Sequence, residues 1–149
     1  MKLSVNGGPV SQVRYLNDVN GELQAIYIPA TAKSDGVKFL TTVKNDMQVG
    51  LMTRNSNSPV VAHQHLKIKR SIETTQEFLL VRKGSAEVIL LDDHGNHHHE
   101  IHLSLGDSIL LVGGAHAINF TSDTELLEVK QGPYLESQDK AYLGSNHAN

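Results

Sequence analysis

His63, His65, Glu77 and His116 are the residues of this chain whose types and spacing point to chemistry. His63-Gln64-His65 lies in the run 60–66, which reads as a β-strand, and on a strand residues i and i+2 face the same way. Glu77 opens a second strand-like run, 77–82, that ends at the turn Lys83-Gly84. His116 sits in a third, 115–120, just after Gly113-Gly114, and shares its face with Ile118 and Phe120, so its imidazole is expected to point inward. Three imidazoles and one carboxylate suit a divalent transition metal, provided the fold brings these strands together. A lone inward histidine is more often a hydrogen-bonded core residue. Burying three of them with a carboxylate is costly without pairing or a metal, which favours the metal site over an empty polar interior.

The elements that must position these side chains are short β runs separated by turn signals. Strands are expected at 12–16, 23–28, 37–43, 47–53, 60–66, 77–82, 85–92, 98–103, 108–112, 115–120 and 124–130. No run of three clear helical turns occurs, although the polar tail has the composition for a short helix over 136–142. The pattern predicts an all-β sandwich or barrel. At 149 residues the chain is expected to form one domain with a core of its own. Its formal net charge of −3 gives no broad attraction to nucleic acid or to an anionic membrane. It has no cysteine, which removes disulfides and thiolate chemistry and leaves histidine as the softest strong ligand. No stretch has the length of a signal-peptide core or a membrane span, so a cytoplasmic location is the expectation.

At this point the residues resemble a family. His63-Gln64-His65, Glu77 and then Gly84 after six residues resemble the first motif of the cupins. Eleven residues separate His65 from Glu77, where the family usually has three or four, so 66–76 is expected to form a longer loop. The stretch from Gly106-Asp107 to Gly113-Gly114-Ala115-His116 resembles the second motif. Val112 stands there in place of a proline, one residue fewer precedes the histidine, and Asn119 comes one position early. Together with Glu128 to Tyr134 it looks like a group of small bacterial single-domain cupins with no assigned reaction. The resemblance covers roughly 45–134 and implies a double-stranded jelly-roll β-barrel. An N-terminal β-hairpin extension over 10–44 would precede it and the tail 135–149 would follow. It also implies one divalent transition metal per chain (Fe, Mn, Zn or Ni) held by His63, His65, Glu77 and His116. Two positions of a six-coordinate ion would stay open for water, dioxygen or an oxygen-rich small molecule. A homodimer joined through the strands before residue 50 is expected on the same ground.

Other features have plainer readings. His94, His97, His98, His99 and His102 crowd one hairpin; His98, Glu100 and His102 would share its outer face, a row that could chelate metal at the surface but reads more simply as a solvated tip. Arg54, Lys67, Lys69, Arg70, Arg82 and Lys83 read as ordinary surface charge, and Tyr27, Phe39, Gln48, Met52, Phe78 and Phe120, candidates for a site wall, read more simply as core. Gly84, Gly95, Gly106, Gly113 and Gly114 read as turn residues with positive φ. Three functions compete: a metal-dependent dioxygenase, isomerase or lyase; a non-catalytic small-molecule or metal-binding module; and a metal-free sugar isomerase or epimerase with a histidine as base. Retained activity in chelator would mark the third, and ligand-induced stabilisation without turnover the second.

Overall fold

The structure is a computed structural model, and it describes residues 12–135 and 138–143. The chain is all-β there. The strands are β1 (Arg14–Asn17), β2 (Leu23–Ile28), β3 (Val37–Phe39), β4 (Gly50–Met52), β5 (Glu77–Lys83), β6 (Ala86–Leu91), β7 (His97–Leu103), β8 (Ser108–Leu111), β9 (Ala115–Phe120) and β10 (Glu125–Lys130). All pair antiparallel, in a main sheet of order β1-β2-β8-β5-β10, a second sheet β7-β6-β9, and the separate pair β3-β4. Among the described residues no sheet closes into a barrel.

Alternation explains how the layers stack. Leu79, Val81, Ile109 and Leu111 of the main sheet meet Val88, Leu90, Ile101 and Leu103 of the second, forming one buried cluster. The opposite face of the main sheet is apolar as well. Ile26, Ile28 and Leu110 pack there beneath Leu40, with Met47, Val49 and Leu51 around them. All four residues of β8 are therefore buried, and Ser-Ile-Leu-Leu shows the unbroken apolar run of a strand covered on both sides. Asp107 fixes the entry to β8. Its carboxylate accepts hydrogen bonds from the amides of Ala30 (2.8 Å) and Ser104 (2.9 Å) and from the Tyr27 hydroxyl (3.3 Å).

The expected strand over 60–66 is not formed. No strand occurs between Met52 and Glu77, and every residue from Met52 to Thr75 is exposed. One face of that run would carry both His63 and His65, and burying two imidazoles requires partners that no neighbouring strand supplies. The segment is tied at its ends, where Thr53 N–H donates to Gly36 O (2.8 Å) and Thr74 Oγ1 to Asp46 (2.7 Å). Gln76 follows, with its N–H to Gln131 Oε1 at 2.6 Å. Between these ties its bonds to described residues are internal: Ser58 N–H to Asn55 O, and His63 Nδ1 with Val61 O. β3 and β4 are each three residues long, well short of the expected runs. Of the helix expected over 136–142, residues 136–137 lie outside the described residues and 138–142 form no helix.

Candidate functional site

Glu77 and His116 come from different sheets and meet. In β9 the residues His116, Ile118 and Phe120 pair with Leu90, Val88 and Ala86, so all three lie on the inner face as their alternation predicts. Glu77 is the first residue of β5 and shares the inner face with Leu79 and Val81. Its carboxylate Oε2 lies 3.4 Å from His116 Nε2, and Oε1 lies 3.7 Å from Lys130 Nζ. Lys130 reaches it because β10 pairs with β5 in a register that sets Lys130 opposite Glu77. Sequence reasoning missed Lys130. Its only signal is its place at the end of the strand 125–130, which matters once that strand is known to neighbour β5.

The glutamate is nearly enclosed, with a side chain 11% exposed, whereas the His116 side chain is 29% exposed. The His116 imidazole, 3.4 Å away, is the largest influence holding the Glu77 carboxyl below the ordinary glutamate value. Burial opposes this, and the charges of His116, Lys130 and Lys140 add to the lowering. The carboxylate therefore stays ionised, with an imidazole on one oxygen and an ammonium on the other. Lys130 Nζ also stands 4.7 Å over the Tyr134 ring.

The turn that delivers His116 is built around Gln24. Its Nε2 donates to Leu91 O (2.9 Å) and Ala115 O (3.2 Å), and its own carbonyl accepts from Val112 N–H (2.9 Å). Gly114 has φ +73°, and a Cβ there would stand 2.6 Å from Gln24 Nε2, so both conformation and space require glycine. Gly84, Gly95 and Gly106 likewise have positive φ, but Gly113 does not.

The inner face of β9 is not covered along its whole length. β9 and β10 are edge strands of different sheets, and Phe120, at the far end of β9 from His116, is 61% exposed. Phe120, Phe39 and Met52, expected as core, are all exposed, whereas Tyr27 and Phe78 pack against the two clusters. His63 and His65 lie on the exposed segment, rings 5.2 Å apart, and are not brought to Glu77 and His116. Among the described residues no three side chains of His, Asp or Glu converge as a metal site. Two of the four expected ligands are thus together and two are apart. The donor set fits a divalent transition metal in chemistry; in placement, the Glu77–His116 half fits it. Compared with protein families, curated proteins and solved structures, the chain matches none.

Proposed function

We propose that this chain is a metal-binding β-sandwich acting on a small oxygen-rich molecule at the gap between β9 and β10. Glu77 and His116 would hold a divalent transition metal there, together with His63 and His65 from the 53–76 segment. The observation that carries this reading is the ionised, enclosed Glu77 carboxylate facing an inward imidazole across two sheets. Val60, Val61, Leu66 and Ile68 are exposed on the segment, and Phe120 is exposed on β9, so apolar burial favours the segment folding over it. An extra strand laid there would complete a jelly roll. A bound metal would supply Lewis acidity to an oxygen ligand. The chain's own residues would position that ligand: Lys130 offers an ammonium to an anionic oxygen, and Phe120 and Ile118 exclude water. Exposed Val37 and Phe39 on β3 favour a homodimer through the N-terminal strands, and a monomer mass by light scattering would end that part.

The test is metal content of untagged protein after dialysis. About one metal per chain is expected, and His116→Ala and His63→Ala should each lower it about tenfold or more, as for loss of a ligand. No metal after anaerobic reconstitution would overturn the reading.

One observation favours a second reading. Lys130 already sets a positive charge beside Glu77, so the pair is balanced as it stands. In that case Glu77 orients His116 as a general base for a metal-free isomerisation or epimerisation. Activity on a sugar substrate that survives chelator and is lost in His116→Ala would establish it.

A further inference from the structure

β7 carries a β-bulge. Its pairing with β6 sets Leu90 opposite His99 and Leu91 opposite His97, which leaves His98 as the extra residue. A regular strand would send His98 and His99 to opposite faces. With the bulge their rings lie side by side, centroids 4.2 Å apart and planes tilted 57°. Both Nε2 atoms reach one acceptor, the carbonyl oxygen of Asn17, at 2.8 Å from His98 and 3.0 Å from His99. Asn17 ends β1, where the pairing with β2 also shifts. Two edge strands of different sheets, β1 and β7, are thus joined through two imidazoles and one carbonyl.

We propose that His98 Nε2, His99 Nε2 and the Asn17 carbonyl oxygen form a separate site for a divalent cation of the Ni, Cu or Zn type. Metal–nitrogen and metal–oxygen bonds to such ions are about 2.0–2.2 Å, so ligands at right angles stand about 3 Å apart. The two N···O separations are those of adjacent corners around one ion. Without metal, each ring donates an Nε2–H to the carbonyl. On binding, each neutral ring carries its proton on Nδ1 instead and turns so that the Nε2 lone pair faces the cation in place of the carbonyl oxygen. Neither Nδ1 bonds to a described residue, so both are free to take that proton. Imidazole nitrogen selects these metals over magnesium or calcium. Water would complete the coordination. The outward row of His98, Glu100 and His102 expected of a regular strand is replaced by a bulge-made pair, while His97 faces Glu100 at 3.8 Å.

The site does not depend on the Glu77–His116 reading, so the test uses the full chain carrying His63→Ala and His116→Ala. Calorimetric titration with nickel(II) should give one ion per chain with micromolar affinity, and should raise the melting temperature. His98→Gln and His99→Gln, each added singly, keep an N–H for Asn17 but offer a poor ligand. Each should weaken binding about tenfold or more, while His97→Gln and His102→Gln change it less than about twofold. Equal losses at all four positions, or losses under about threefold at His98 and His99, would mean adventitious binding by a histidine tract and overturn the proposal. If a glutamine variant does not fold, nitrogen NMR of the parent decides. Shifts confined to His98 and His99 Nε2 on adding zinc support the site, and shifts spread over the tract sink it.

Discussion

Glu77 bears the closest link between charge and stability. Its folded-state pKa is lowered, so its contribution is present above the ordinary glutamate value of about 4.3 and is lost as pH falls through the lower folded value. Asp18 and Asp92 are also lowered, first by the Glu22 amide and by the Asn96 side chain respectively, so the whole chain loses stability in acid. The difference between wild type and Glu77→Gln isolates Glu77. At neutral pH the variant should be less stable by about 1.5–3 kcal/mol, the range for a polar contact to a charged group, and the gap should narrow in acid. Urea titrations between pH 7 and 3 measure it; a gap constant with pH would mean that Glu77 is not held by its neighbours. The inward aspect of His116 was legible because strand alternation is local. Lys130 was not, because its contact depends on which strand lies beside β5, and no local pattern encodes a neighbour.

The same division holds for elements. Alternating runs with turn residues between them marked β2, β5, β6, β9 and β10 to within a residue or so. The 60–66 run reads as a strand by composition and remains without strand structure, because a strand exists only when a neighbour takes its amides and carbonyls. Composition cannot supply that neighbour. The bulge at His98 was equally hidden, since one extra residue in a register leaves no mark in residue types. The segment's exposure makes a prediction. Replacing residues 57–71 with a short Gly-Ser linker should leave the β-sheet circular dichroism spectrum intact and shift the melting temperature by only a few degrees. The same variant should lose the metal proposed for Glu77 and His116. Loss of the sheet spectrum would show that the segment contributes to the fold, contrary to its exposed setting.

In the whole molecule the main sheet is shared by both apolar clusters, so the two cannot come apart independently. Ile109 and Leu110 are adjacent in β8 and belong to opposite clusters, and neither is exposed. Ile109→Ala and Leu110→Ala should each cost about 2–5 kcal/mol and leave a single unfolding transition. Two resolved transitions in urea would mean that the layers fold separately. The all-β class was readable from turn spacing. The strand order was not, because β8 sits between β2 and β5, which lie far from it in sequence. That order has a kinetic consequence. β2 and β5 both leave the ribosome well before the strand that joins them; β2 must wait with one unpaired edge and β5 with two, since its other neighbour, β10, comes later still. The many long-range pairings place this chain among slow folders, on the order of milliseconds to seconds, with the arrival of β8 as the step that commits it. A chain stalled before residue 108 would present one open edge on β2 and both edges of β5 at once, the form most prone to join another chain in place of its own.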